Sequence, residues 1–150
     1  MGDGGAGVKK SSVIIVVLTL LGTGWLVSRT NDAAPPDLAA GAKPGEAMAQ
    51  VVVPALEGDA AAGAVLFTEN CAVCHGANAA GQQGVAPPLV HKVYRNRSHA
   101  DYSFVLAVQN GVRAHHWGFG NMPKIEGLTQ DEVLLIAAYV RALQEANGIE

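Results

Sequence analysis

Two cysteines and one histidine form the most chemically informative pattern in the chain. Cys71, Cys74 and His75 follow the order C-x-x-C-H, which is the attachment pattern for a c-type haem. Two thiols three positions apart on a helical turn can add to the two vinyl groups at one edge of a porphyrin. The next residue brings an imidazole to the iron, and a neutral imidazole is a good metal ligand. The pattern therefore predicts one haem c, bound covalently through Cys71 and Cys74 and ligated by His75.

The cysteine pair also admits two other interpretations, a redox-active dithiol and half of a zinc site. A redox-active pair needs a thioredoxin-like βαβ context, which the sequence does not show. A zinc site needs two more ligands, and the chain has only two cysteines. No pair among the other histidines has zinc-finger spacing. Haem attachment is therefore the favoured interpretation.

A second iron ligand is sought among the three methionines of the chain. Met1 stands at the start and Met48 lies in a segment rich in alanine and proline, so Met122 is the candidate. It lies in the loop GFGNMP, which is too rich in glycine and proline to be helical. Thioether ligation opposite a histidine raises the reduction potential of a haem. The alternative is a methionine that fills a gap in the core. The predicted metal ligands are His75 and Met122.

Two adjacent histidines, His115 and His116, precede the Met122 loop. They are candidates for a substitute iron ligand, for a second metal site, or for hydrogen bonds to the haem propionates. Arg113 and Trp117 are further candidates for a propionate contact. A propionate or surface role is favoured, but the role of the two histidines stays open.

Composition excludes several classes of protein. Apolar residues make up 49% of the chain and charged residues only 15%, which argues against a disordered chain. A formal net charge of −3 and an aromatic content of 5% argue against a nucleic-acid partner.

Four segments are predicted along the chain. Residues 1–10 form a cytoplasmic N-terminus, and the uncharged residues 11–28 form a transmembrane anchor or an uncleaved signal. Residues 29–56 form a flexible linker rich in alanine, proline and glycine, in which the valines at 51–53 are expected to pack onto the domain as a strand. Residues 57–150 form the globular domain.

The anchor is favoured over a cleaved signal peptide. As a helix the apolar run is roughly 25 Å long, close to the hydrocarbon thickness of about 30 Å. Sites of the A-x-A type, at residues 40–42 and 47–49, lie far downstream of the run. Lys9 and Lys10 precede the run and Arg29 follows it, so the positive-inside rule places the domain outside the cytoplasm.

Three main helices are predicted in the domain, which makes it all-α. The first is expected to be capped by Asp59, and the second to begin at Asp101 and end before Gly111. The third begins with a capping box formed by Thr129 and Glu132. Its apolar stripe consists of Val133, Ile136, Ala137, Val140 and Leu143.

Residues from about 58 to 147 resemble a class I cytochrome c domain. The resemblance is carried by CAVCHG, APPL, NMP and AYVRAL, in that order. It implies a small cytochrome c fold, with three main helices around one haem. It also implies that the first helix, at Gly63 and Phe67, crosses the last helix near Tyr139. The carbonyl of Pro87 is implied to accept a hydrogen bond from the ligand histidine, which would fix the imidazole.

A haem with both axial positions filled by protein has no open site for a small-molecule substrate. The predicted function is therefore one-electron transfer, and the protein is not expected to be an enzyme. The resemblance implies a cytochrome bc-type quinol oxidoreductase as donor and a terminal oxidase or photosynthetic reaction centre as acceptor. It also implies a haem domain on the periplasmic side of the bacterial inner membrane. Two alternatives stay open: a haem subunit fixed in an oxidase or dehydrogenase complex, and a haem enzyme or sensor with a labile sixth ligand.

Overall fold

The computed structural model describes residues 1–2 and 43–150. The chain divides into two units, Met1–Asp32 and Ala33–Glu150, and the second contains the C-x-x-C-H pattern. The predicted anchor, residues 11–28, and the first part of the predicted linker lie outside the described residues. In the described part of the chain, no helix combines the length and the apolar character needed to cross a membrane.

Four α-helices form the described domain, and the all-α prediction is confirmed. They are α1 (Gly58–Asn70), α2 (Ala72–His75), α3 (Asp101–Asn110) and α4 (Gln130–Ala146). Three of them are long, as predicted, and α2 is a single turn. Two short 3-10 turns, Ala77–Ala79 and Lys92–Tyr94, lie between α2 and α3. Among the described residues, β pairing is limited to isolated bridges.

Helix α4 begins where its capping box predicts. The Glu132 N–H donates to the Thr129 hydroxyl at 3.3 Å, and the Thr129 N–H donates to the Glu132 carboxylate at 2.8 Å. These bonds satisfy backbone donors that have no partner within the helix. The apolar stripe is buried along its whole length, and it contributes to both hydrophobic clusters of the domain. The stripe therefore supplies the central part of the core.

Helix α1 packs directly against α4 at Gly63. A Cβ atom at Gly63 would lie 1.9 Å from the carbonyl oxygen of Leu135, so only glycine allows the two backbones to come this close. One turn further on, the rings of Phe67 and Tyr139 are tilted by 56° with centroids 5.3 Å apart. The helix crossing implied by the resemblance is present.

The start of α1 differs from the sequence prediction. Its N-cap residue is Glu57, which makes no side-chain capping bond, and Asp59 lies within the first turn. The expectation that Asp59 caps this helix is therefore wrong. A carboxylate in the first turn still stabilises a helix, because it interacts favourably with the positive end of the helix dipole.

The last part of the predicted linker is packed on the domain. Met48 and Ala49 are buried, and their N–H groups donate to the Ala80 carbonyl at 3.1 and 3.0 Å. The Val52 N–H donates to the Asn147 amide oxygen at 2.9 Å, and the Asn147 amide donates back to the Val52 carbonyl at 2.8 Å. The expected strand is absent from this segment, and the side chains of Val52 and Val53 are exposed, so only Val51 of the three valines packs onto the core. Residues 48–52 thus belong to the packed domain, and the other segment boundaries stay predictions.

Replacing Gly63 with alanine tests the close helix crossing. Helix propensity alone favours alanine by about 1 kcal/mol. The new methyl group would lie 1.9 Å from the Leu135 carbonyl oxygen, and a clash this severe costs about 3 kcal/mol, the upper end of the usual range for overpacking. We therefore expect Gly63→Ala to lower the free energy of unfolding of the holoprotein by about 2 kcal/mol, because α1 must move away from α4. Denaturant unfolding followed by circular dichroism measures the change.

Ala62, exposed on the same helix, provides the control. Ala62→Gly changes helix propensity without touching α4, so it is expected to cost only about 1 kcal/mol. A Gly63→Ala protein at least as stable as the unchanged protein would show that the backbones are not in this contact.

Candidate functional site

A cavity of about 620 Å³ lies in the described domain, and its wall is mainly apolar. Pockets that enclose cofactors and drug-sized ligands have volumes of roughly 300–1,000 Å³, so the size suits a bound cofactor. All the predicted site residues line this cavity: Cys71, Cys74, His75, Pro87 and Met122.

The cysteines and the histidine are positioned by the short turn after α1. The Cys71 N–H donates to the Phe67 carbonyl at 2.8 Å, which continues the hydrogen-bond pattern of α1. The Cys71 carbonyl accepts from the N–H groups of Cys74 at 3.1 Å and His75 at 2.9 Å. This turn places both thiols and the imidazole at the cavity. Gly76, with φ +73°, then ends the turn.

The ionisation of Cys71 argues against a redox-active dithiol. Burial, and to a lesser degree the neighbouring Cys74, raises the pKa of the Cys71 thiol to about 11. Redox-active cysteines have lowered pKa values, because the thiolate is the nucleophile. A thiol that stays protonated at neutral pH does not fit a redox-active dithiol.

The His75 ring is held by one hydrogen bond. Its Nδ1 lies 2.9 Å from the Pro87 carbonyl oxygen. Since a carbonyl can only accept, Nδ1 carries the proton and Nε2 keeps its lone pair for a metal. Burial lowers the pKa of His75, against an opposing effect of the bond to Pro87, and so favours the neutral ring that a metal needs.

The segment that carries Pro87 lies against the turn that carries His75. The Gly81 N–H donates to the His75 carbonyl at 2.7 Å. A Cβ at Gly81 would lie 2.5 Å from the Pro88 nitrogen, and φ of Gly81 is +73°. Only glycine permits this close approach, which brings the Pro87 carbonyl within reach of the imidazole.

Met122 is held at the end of a closed loop. Val112 and Met122 exchange two backbone hydrogen bonds of 2.9 Å, so residues 112–122 begin and end at the same place. A Cβ at Gly111 would lie 2.6 Å from the Met122 carbonyl oxygen, which requires glycine there. The side chain of Met122 is half-buried and packs against the hydrophobic cluster of Val105, Val108 and Val133.

The parts of the cavity wall that carry the two candidate iron ligands pack against different hydrophobic clusters. Cys71, at the start of the turn that carries His75, packs against the cluster that contains Phe67 and Ile136. Met122 packs against the other cluster. Met48 is buried, but it is not among the residues that line the cavity. The choice of Met122 over Met48 therefore stands, although Met48 is not in a free linker.

A buried N–H donor in the cavity wall, that of Trp117, suits a bound molecule that carries a carboxylate, as a haem does. The indole Nε1 of Trp117 lines the cavity, is buried, and has no hydrogen-bond partner among the described residues. Burial raises the pKa of Tyr94 and the nearby indole N–H lowers it, so the two groups are close, but they do not reach hydrogen-bond geometry. Leaving such a donor unpaired costs about 1–3 kcal/mol. A carboxylate of a bound molecule, such as a haem propionate, would satisfy it. Of the other propionate candidates, His115 and His116 line the cavity, whereas Arg113 is exposed and is not among the lining residues.

The fold and the site define a c-type haem protein: an apolar cavity between helices, lined by two thiols, a fixed imidazole, a thioether and a buried N–H donor. The family comparison agrees. The cytochrome c family model matches residues 60–144, and the chain belongs to this family. It is a class I c-type cytochrome, and its cofactor is covalently bound haem c.

One curated relative is the cbb3-type cytochrome c oxidase subunit FixP of Bradyrhizobium sp. (strain ORS 278). The two sequences are 41% identical over 87 residues, which is 57% of this chain and 28% of that protein. The chain thus matches little more than a quarter of its relative. No solved structure matches the chain at a comparable level of significance.

Arg141 is a structural residue of the site that the sequence analysis missed. From α4, its Nε donates to the Asp101 carboxylate at 2.8 Å and its Nη1 to the Tyr94 carbonyl at 2.6 Å. Its Nη2 donates to the His99 carbonyl. Arg141 therefore fixes the segment before α3, which lies at the cavity, onto α4. The one feature of the sequence that could have pointed to Arg141 is its position, because it is a charged residue directly after Val140 of the buried stripe.

Replacing Arg141 with lysine tests this role. Lysine keeps the charge but lacks the planar set of donors, so it cannot reach all three oxygens at once. Since hydrogen bonds from charged groups contribute about 1.5–3 kcal/mol each, we expect Arg141→Lys to lower the free energy of unfolding by about 2 kcal/mol. Denaturant unfolding of the holoprotein measures the loss.

The control is Arg97→Lys, at an exposed position of the same segment, which is expected to change the free energy of unfolding by less than about 0.5 kcal/mol. Equal effects of the two substitutions would contradict the role of Arg141.

Proposed function

We propose that the protein is a membrane-anchored one-electron carrier. Cys71 and Cys74 would bind the haem by thioether bonds, and His75 and Met122 would ligate its iron. The observation that supports this most strongly is that His75 and Met122 line one cavity from two differently packed walls. When bound, haem c supplies a single one-electron couple.

The protein's own side chains would set the properties of that couple. The Pro87 carbonyl holds the His75 ring so that Nε2 is free for the metal. The closed loop holds Met122 at the cavity, and a thioether opposite a histidine raises the reduction potential. With both axial positions taken by these side chains, no position would remain for a small-molecule substrate.

An apolar rim around the cavity supports electron exchange with a partner protein. Val73, Val85 and Leu106 line the cavity and are also exposed, by 76%, 45% and 48% respectively. Cys74 is exposed as well, so the covalently bound edge of the cofactor would lie near the surface. A small apolar patch of this kind fits the brief docking of redox partners, whose interfaces are among the smallest known.

Residues 11–28 would anchor this carrier in the bacterial inner membrane by a single span. The run is uncharged, and Lys9 and Lys10 precede it, which favours a periplasmic haem domain. A tether keeps the domain at a high effective concentration near membrane partners. As the family resemblance implies, the partners would be a quinol-oxidising cytochrome bc-type complex and a terminal oxidase or reaction centre.

A second candidate function is that of a haem subunit fixed in an oxidase. The similarity to FixP, which is named as a subunit of a cbb3-type cytochrome c oxidase, favours it. Both candidates use the same electron-transfer chemistry. They differ in whether the protein leaves its complex.

Membrane fractionation separates the two functions. The chain is expressed in a host that matures c-type cytochromes, and membranes are extracted with a mild detergent and resolved by native electrophoresis with a haem stain. A mobile anchored carrier is expected to need detergent for release and to migrate mainly as the separate chain. Co-migration of nearly all the stain with an oxidase would instead show a fixed subunit.

A variant with a cleavable signal peptide in place of residues 1–28 is the control, and it should be released without detergent. Release of the unchanged chain without detergent would contradict the anchor.

Substitution of the methionines tests the axial ligand. Leucine has a similar volume but no sulfur, so Met122→Leu should remove the ligand with little change in packing. We expect the reduction potential to fall by at least about 0.1 V, within the range of about 0.8 V that axial ligands span. The reduced variant should also bind carbon monoxide. Potentiometry and absorption spectra measure both effects.

The matched control is Met48→Leu, which makes the same chemical change at a buried position outside the cavity lining. It should leave the potential and the spectrum unchanged. Unaltered properties of Met122→Leu would exclude Met122 as a ligand. Ready carbon monoxide binding by the unchanged protein would favour a haem enzyme or sensor.

A further inference from the structure

Three histidines come together at the rim of the cavity, although His99 is 16 positions before the adjacent pair His115 and His116. His99 lies just before α3, and His115 and His116 lie in the loop after it. One ring nitrogen from each lies within 4.8 Å of the other two. The ring centroids of His115 and His116 are 4.1 Å apart, and those of His99 and His116 are 5.4 Å apart.

Two of these rings are held by backbone carbonyls. Nδ1 of His99 lies 2.8 Å from the Val93 carbonyl oxygen, and Nδ1 of His115 lies 2.8 Å from the Arg113 carbonyl oxygen. Because a carbonyl only accepts, each Nδ1 carries the proton and each Nε2 keeps a free lone pair. Metal-binding histidines in proteins are typically oriented by a bond of this kind.

The same bonds leave one nitrogen available on each of the two bonded rings. A neutral imidazole has one N–H, and in His99 and His115 it is donated to a carbonyl. In the neutral ring the remaining nitrogen is an acceptor, which can bind a cation.

We propose that His99, His115 and His116 form a binding site for a divalent transition-metal ion of the Zn²⁺ type. Imidazole nitrogens are preferred ligands of zinc, and three histidines with an open fourth position are a known zinc ligand set. Ligand nitrogens at about 2.0–2.1 Å from a tetrahedral ion lie about 3.3 Å from one another. The present separations of up to 4.8 Å close to this value by small side-chain rotations, and His115 and His116 are exposed and free to make them.

The position of the site suggests what the ion would do. His99 belongs to the segment that Arg141 holds on α4, and His115 and His116 belong to the loop that ends at Met122. An ion bound to all three would link these two segments across the cavity rim. This proposal does not depend on the electron-carrier function, since it uses none of the proposed haem ligands.

Zinc titration of the holoprotein tests the site. The protein is purified without a polyhistidine tag, treated with a chelator and titrated with Zn²⁺ in a calorimeter. One Zn²⁺ per chain is expected. His116 makes no hydrogen bond to any other described residue, so His116→Gln is the least disruptive substitution, and it should weaken binding by at least about 10-fold. His99→Gln should do the same.

His91 is the matched control. It lies on the same side of the domain, next to Trp117, but it is outside the cluster, and its Nδ1 accepts from the Val93 N–H at 3.2 Å. His91→Asn keeps such an acceptor, and it should bind Zn²⁺ within about twofold of the unchanged protein.

Three outcomes would overturn the proposal. They are absence of stoichiometric binding, unweakened binding by His116→Gln, and equal weakening by His91→Asn. The haem spectrum of each sample shows whether the variant is folded, so failure of the zinc site is distinguishable from failure of the haem site.

Discussion

The hydrogen bond between the His75 imidazole and the Pro87 carbonyl is the interaction on which the haem site depends. At 2.9 Å it fixes the tautomer and the direction of the ring, and it leaves Nε2 free. The bond exists because the chain after the C-x-x-C-H turn folds back at Gly81, where no side chain larger than hydrogen fits against Pro88. The close approach at Gly81 thus fixes the orientation of the His75 imidazole beside the two cysteines.

The contact of α1 with α4 fixes where that turn lies. Gly63 brings the two helices together, and Phe67 packs its ring on Tyr139 one turn later. Because α1 runs almost directly into the turn that carries the cysteines, the crossing also places Cys71 beside the core. On the other side of the cavity, α3 and α4 support the loop of Met122. The apolar stripe of α4 therefore contributes residues to both hydrophobic clusters beside the cavity.

Sequence patterns predicted the features that depend on local chemistry. The bounds of α3, the capping box of α4 and its buried stripe follow from caps and helical period, and the C-x-x-C-H pattern selects its cofactor. Features that depend on distant residues were missed or misjudged. Arg141 donates to oxygens of residues 40 or more positions away, Val52 pairs with Asn147, and His99 joins His115 and His116 only in the folded chain. No periodicity or local motif records such contacts.

Methyl proton NMR of the methionines tests most directly whether the two walls hold one haem between His75 and Met122. The holoprotein is labelled with ¹³C at its methionine methyl groups and studied in the reduced state. Of the three methionines, we expect only Met122 to give a methyl resonance shifted far upfield by the porphyrin ring current, and Met122→Leu should remove that signal. A Met122 methyl resonance in the ordinary range, beside that of Met48, would contradict the account.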